Sequence, residues 1–334
     1  MSTAASTVIG LLEQGAQDAT ALSAPGGVPL TYRSLRKLVS DTLAALNAQG
    51  IGRNDRIAIV LDNGPEMAAA FLCVSAGATA APLNPAYRAD EFEFYLTDLK
   101  ARLLVVGRES SSPAVEVAHR LDIPLVRLVP APATGTGSFT LEFPTGFATR
   151  RAEKSGAAAP EDTALVLHTS GTTSRPKIVP LSQRNVCTSA HNVSRTVAFG
   201  AADRGLNIMP LFHIHGLIAG ILAPLSAGGA GCCTPGFNAL KFFAWMAEAR
   251  PTWYTAVPTM HQAILSRAAK NLDVVKECSL RFIRSSSSSL APQVIRELEE
   301  TFGIPVIEAY GMTEAAHQMT SNPLPPGKRK PGTV

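Results

Sequence analysis

Short apolar runs alternate with helix-length segments along this chain, and that alternation constrains the fold more than any other feature. The segment LTYRSLRKLVSDTLAALNAQGI, from Leu30, carries apolar residues at helical spacing, closes on Gly50 and leads into the strand-like run RIAIVLD. Pro65 opens an alanine-rich helical segment that ends near Gly77 and delivers an extended apolar stretch to Asn84 and Pro85. Leu103 to Val106 and Leu125 to Val129 read as further strands, with a helix around Ala114 to Leu121 between them. After a stretch rich in Ala, Pro, Gly and Thr from Pro130 to Asp162, which reads as a connector, the alternation resumes. It predicts helices from Gln183 to Val197, near Asn238 to Glu248, from Pro258 to Ala268 and from Pro292 to Phe302. Strands are expected at Leu206 to Met209, Trp253 to Ala256, Leu280 to Arg284 and Pro305 to Glu308. Parallel strands need long crossovers, which helices of this length supply, so the expected fold is α/β with mostly parallel sheets flanked by helices. We expect two stacked lobes, one over about residues 1–150 and one over about 160–334.

Parallel α/β sheets bind ligands at strand ends, and four unusual stretches fall there. The first is Val166 to Pro180, VLHTSGTTSRPKIVP. Gly171 permits close backbone approach, the hydroxyls of Ser170, Thr172, Thr173 and Ser174 can donate, and Lys177 adds a point charge: together, a grip for phosphate. It is not a Walker loop, because Pro176 precedes the lysine and Ile178 follows it. The second stretch holds His213 and His215, which would share one face if the segment were extended. The third is the serine run Ser285 to Ser289, set between an apolar strand and a helix. The fourth is Tyr310 to His317, within EAYGMTEAAHQM. Taken singly, a hydroxyl cluster is more often a polar turn, a histidine in an apolar stretch a satisfied core residue, and a serine run a flexible segment. Four such stretches at strand ends favour one shared site.

The loop and the Tyr-Gly-Met-Thr-Glu segment, in this order with the serine run between them, resemble the signatures of the AMP-forming, adenylate-forming enzymes. That likeness extends from roughly Leu30 to Val334 and departs from the usual loop pattern at Ser174 and Ile178, where glycines are expected. A β-branched Ile178 does not readily take a positive φ, so an altered loop closure is expected. The resemblance implies that Thr169, Ser170, Gly171, Thr172, Thr173 and Lys177 hold ATP phosphates. It also implies that Ser287, Ser288, Glu308, Ala309 and Tyr310 surround adenine, that Thr313 bonds the α-phosphate and that Glu314 holds Mg²⁺. His213, His215, Ser289 and His317 would face the acyl group. The implied reaction joins a carboxylic acid to AMP and then to coenzyme A. Within the family the loop, the histidines and YGMTEAAHQM are most like those of oxalyl-CoA synthetases, so the expected acid is a short dicarboxylate such as oxalate. The resemblance further implies a terminal barrel and a C-terminal lid domain beyond the span present here, and poor turnover without them.

The remaining composition excludes some classes. Lys and Arg number 30 against 26 Asp and Glu, and apart from Lys328-Arg329-Lys330 like charges are not blocked together, which argues against nucleic-acid or membrane partners. No signal-peptide pattern opens the sequence, so a cytoplasmic location is expected, or a peroxisomal one if a C-terminal signal exists; the oligomeric state is left open. The five cysteines lack zinc spacing and sit in apolar contexts, as buried free thiols do. Two alternatives remain open: a non-catalytic nucleotide-binding protein on the same fold, and a ligase for fatty or aryl acids.

Overall fold

The computed structural model describes residues 5–147, 152–169 and 176–334. Its strands are β1 (Thr20–Ser23), β2 (Leu30–Thr31), β3 (Arg56–Val60), β4 (Thr79–Pro82), β5 (Leu103–Gly107), β6 (Leu125–Pro130), β7 (Phe139–Glu142), β8 (Thr163–Thr169), β9 (Lys177–Ser182), β10 (Arg204–Asn207), β11 (Ala230–Cys233), β12 (Trp253–Ala256), β13 (Phe282–Ser285), β14 (Val306–Met312) and β15 (His317–Ser321). Among the described residues they form a 7-stranded sheet, ordered β7-β6-β5-β3-β4-β8-β9, and an 8-stranded sheet, ordered β15-β14-β13-β12-β10-β11-β1-β2. Each sheet is parallel through its interior and antiparallel at both edges. The α/β expectation is therefore met, and the reason is visible in the burial. Ile57, Ala58 and Ile59, like Leu103 and Leu104, are buried on both faces, as central parallel strands are.

The helix Pro65–Ser75 lies between the two sheets. All its residues from Met67 to Ser75 are buried, and they share one apolar cluster with Ile57, Ile59 and Leu103 on one side and Leu22, Leu217 and Cys233 on the other. A helix apolar on every face belongs in such a central layer, and its small alanines let both sheets approach. The cysteines are free; Cys73, Cys187, Cys232 and Cys233 are buried and Cys278 is partly buried.

The sheets do not divide the chain near residue 150. Strands β1 and β2, from the first fifth of the sequence, complete the 8-stranded sheet, where β1 pairs in parallel with β11. Strands β8 and β9, expected in the second lobe, complete the 7-stranded sheet by pairing β8 against β4. Periodicity reports which segments are strands but is silent on which free edge each one reaches. The stretch read as a connector also contributes a strand, β7, paired antiparallel to β6.

Candidate active site

Two hairpins, one from each sheet, form the floor of the site. Strands β8 and β9 pair antiparallel up to Thr169 opposite Lys177, so the hydroxyl loop is their connection. Ser170, Gly171, Thr172 and Thr173 lie outside the described residues. Thr169 is partly buried and Lys177 exposed at the mouth of the hairpin. Ile178 sits in β9 opposite His168 and is absent from the positive-φ positions, so a β-branched residue is at ease there; the ladder continues where a glycine was expected.

The second hairpin joins β14 to β15 through the short 3₁₀ turn Thr313–Ala315, with Met312 opposite His317 as its last pair. A Cβ on Gly311 would lie 1.7 Å from the His317 carbonyl oxygen, so this position accepts glycine alone. Ala316 and His317 hold positive φ values of 54° and 103°, and the Ser189 hydroxyl fixes the kink by donating to the Ala316 carbonyl at 2.5 Å. Strained backbone of this kind is stored where a site needs it. The two hairpins meet directly: Thr169 Oγ1 donates to Glu314 Oε1 at 3.3 Å. The end of β8 and the Tyr-Gly-Met-Thr-Glu segment, far apart in sequence, thus share one rim.

Beside that rim opens a cavity of about 590 Å³. Ser287, Ser288, Ser289, Glu308, Ala309 and Tyr310 all line it, which brings together the residues expected around a base together with Ser289, expected at the acyl end. Tyr310 is exposed, with its ring free to stack, whereas Glu308 is buried and accepts from the Gly332 amide at 2.9 Å. Burial, outweighing the hydrogen bonds and charge that favour the ionised form, holds the Glu308 carboxyl above the usual carboxylate range. Ser285 and Gly311 also line it, and Gly332, Thr333 and Val334 complete the lining, a contribution that no motif signalled.

The histidines depart from expectation in one respect. His213 and His215 are not on a strand; His215 opens a π-helical segment, His215–Leu222, and the two do not share a face. HIHGLIAGIL is apolar on every side, so its periodicity could not distinguish a strand from a buried helix. His213 is exposed and its Nδ1 accepts from the His215 amide at 3.2 Å. His215 and His317 are buried and stack with ring centroids 5.0 Å apart. His215 Nδ1 lies 2.9 Å from Ser287 Oγ and its Nε2 2.7 Å from Thr255 Oγ1. Ser287 holds this place at a φ of 72°.

Behind both rings lies Arg284, at the end of β13, which no motif in the sequence marks. Its side chain is fully buried, and its fork reaches His215 Nε2 at 3.3 Å, His317 Nε2 at 3.2 Å and Gln318 Oε1 at 3.0 Å. Register explains the meeting: Thr255 on β12 pairs with Arg284 on β13, so both side chains rise on one face toward His215. Burial holds both imidazoles well below the ordinary histidine range, the Arg284 charge lowering them further, and burial pulls the guanidinium down to about 10.

Comparison with known proteins settles the family. The model of the "AMP-binding enzyme" family matches residues 12–334. The chain belongs to the AMP-binding enzyme family. It is 44% identical over 98% of its length to an oxalate–CoA ligase of Arabidopsis thaliana, of which it covers 65%. It is 37% identical over 91% of its length to an oxalate–CoA ligase of Saccharomyces cerevisiae, covering 60% of that protein. Among solved structures, ATP-bound MatB of Rhodopseudomonas palustris superposes with a TM-score of 0.82 at 26% identity, over 98% of this chain and 64% of that one. The chain thus spans somewhat under two thirds of the relatives it matches. No helix among the described residues is long and apolar enough to cross a membrane.

The donor set of this AMP-binding domain suits a nucleotide. Hydroxyls and a lysine border the rim, an exposed aromatic ring faces the cavity, and Glu314 offers a hard oxygen donor there. Among the described residues no cluster of three His, Cys, Asp or Glu could hold a metal unaided. A single carboxylate such as Glu314 suits Mg²⁺, which commonly takes one or two carboxylates and completes its shell with phosphate oxygens and water.

Proposed function

We propose that this protein, in a form extended to the length of its relatives, activates a short dicarboxylic acid, most closely oxalate, with ATP and passes the acyl group to coenzyme A. A carboxylate oxygen attacks the α-phosphorus, pyrophosphate leaves, and the thiol sulfur then displaces AMP to form the thioester. Both partners of the first step are anions, so the protein's task is placement and charge neutralisation. Thr169, Lys177 and the hydroxyl loop would hold the triphosphate, Thr313 the α-phosphate, Ser287, Ser288, Glu308, Ala309 and Tyr310 the adenosine end, and Glu314 the Mg²⁺. When bound, the ion supplies charge stabilisation for the developing pyrophosphate.

The observation that carries the choice of acid is the wall where the acyl group would sit. It is polar where a fatty or aryl acid needs apolar side chains: Ser287, at the junction of the adenosine and acyl ends, lines the cavity and bonds the buried His215, on which the buried His317 stacks. Buried polar groups are costly unless they find partners, and a second carboxylate satisfies N–H and hydroxyl donors together. The names of the two oxalate–CoA ligase relatives support the same choice. The test is a panel of acids in a pyrophosphate-release assay on the extended protein. Oxalate is expected to exceed malonate, acetate, benzoate and octanoate; a preference for octanoate or benzoate, or no release with any acid, overturns the proposal.

A further inference from the structure

A fully buried arginine ordinarily faces a carboxylate. Arg284 faces none: its hydrogen bonds go to two imidazoles and an amide, and its Nε has no partner among the described residues. Leaving a guanidinium so placed is expensive, since a buried charge is tolerated when it is paired. The groups that face the stacked rings with charge or a titrating proton are Arg284 on β13, His213 from the preceding loop and His261 on the helix Pro258–Ala268. None is an acid, so the cluster carries an uncompensated positive charge.

A guanidinium can only donate. The Nε2 atoms of His215 and His317 therefore present lone pairs to it, the Thr255 hydroxyl donating to the same His215 lone pair from 2.7 Å, which leaves each ring's proton on Nδ1. For His215 that proton points along the 2.9 Å contact to Ser287 Oγ, whose hydroxyl hydrogen is then free to turn toward the cavity it lines. For His317 no hydrogen bond among the described residues engages Nδ1.

We propose that Arg284 is the positioning residue that makes this pocket selective for a second carboxylate. It locks His215 and His317 in the Nδ1–H form, so that His215 donates toward the far carboxylate through Ser287 on the cavity wall, with His317 stacked behind it, while the guanidinium supplies the balancing charge. The donors are thus neutral, and the positive charge belongs to a group that does not titrate near neutrality. Recognition of the dianion should then be independent of pH across the histidine range. This inference rests on the dicarboxylate function proposed above and extends it to the residue that selects.

Two experiments test it. The first uses the present chain labelled with ¹⁵N-histidine, with His215 and His317 assigned through single asparagine substitutions. Long-range ¹H–¹⁵N spectra should show both rings protonated at Nδ1 alone at about pH 7. An Nε2–H form or an imidazolium at either ring overturns the proposal, and this arm needs no activity. The second uses the extended protein carrying Arg284→Met. The KM for oxalate is expected to rise on the order of 10- to 100-fold at about pH 8, with a smaller change in kcat and little change in the KM for acetate. As the pH is lowered to about 6 the variant should recover part of its affinity for oxalate, because imidazolium then replaces the missing charge, while the wild type stays flat. A uniform loss with both acids and no recovery in acid would mark Arg284 as a packing residue and overturn the proposal. Should the methionine variant fail to fold, the tautomer measurement on the unsubstituted chain still decides. A wild type that ignores oxalate while showing both Nδ1–H forms would remove the proposed substrate but not the arrangement of the rings.

Discussion

Arg284 shows how a residue can matter while its neighbourhood hides it from the sequence. RFIRSSSSS ends a strand with a cation and a polar run, which is what an ordinary strand leaving a sheet looks like; only the register with Thr255 turns that side chain inward. His317 and Glu314, by contrast, were legible because each sits within a motif whose spacing is specific. At this scale two outcomes follow. Glu314→Gln in the extended protein keeps the side-chain volume and removes a charge at an exposed site. We expect turnover to fall by the equivalent of about 2.7 to 4 kcal/mol, the range seen when a transition-state donor is lost, with the melting temperature nearly unchanged. Steady-state rates at varied Mg²⁺ check it. His215 and His317 give the second. Their folded pKa values lie below the ordinary value of about 6.5, so in the window between the two the unfolded chain binds more protons. Stability from this pair is complete above about 6.5 and is lost as the pH falls through the folded values. The urea midpoint of this chain should therefore drop between about pH 7 and 5, and less so in His317→Gln; an unchanged midpoint contradicts the burial of neutral rings.

Among elements, legibility followed how strongly each segment was punctuated. Trp253–Ala256, Pro258–Ala268 and Pro292–Phe302 coincide with the expected limits, because a proline at the first helical position or a glycine after the last one marks the boundary. The His215–Leu222 segment failed for the opposite reason, an apolar stretch with no polar face to fix a period. The β14–β15 hairpin was half legible: β14 was expected as a short strand and its return through Gly311 was not. That return invites a sharp test. Gly311→Ala places a methyl within 1.7 Å of backbone, which neither strand can give. We expect a loss of at least about 1 to 3 kcal/mol of stability, with Tyr310 and Thr313 displaced together so that nucleotide binding falls as well. Thermal melting and AMP titration should fail in parallel; an alanine variant with wild-type affinity would show that the close approach is not required. Gly200, with nothing near its missing Cβ and no positive φ, serves as the control.

At the level of the whole molecule, the α/β class and the presence of mostly parallel sheets were readable, while their membership was not. The 7-stranded sheet is a contiguous insert, β3 to β9, in the 8-stranded sheet, whose β1 and β2 precede it and whose β10 to β15 follow it, and the two share the apolar cluster around the helix Pro65–Ser75. One cooperative unfolding transition is expected, seen alike by tryptophan fluorescence, whose two probes Trp245 and Trp253 lie in the 8-stranded half, and by far-ultraviolet circular dichroism over the whole; separated transitions would contradict it. The same insertion bears on how the protein is made. Leu22 is paired with Gly231, so β1 leaves the ribosome roughly 200 residues ahead of the strand it lies beside. At about 5 to 20 residues per second it waits on the order of 10 to 40 s with its hydrogen-bonding edge uncovered. During synthesis this N-terminal ribbon is the segment that a holding chaperone would find open longest, and the arrival of β11 is the event that retires it.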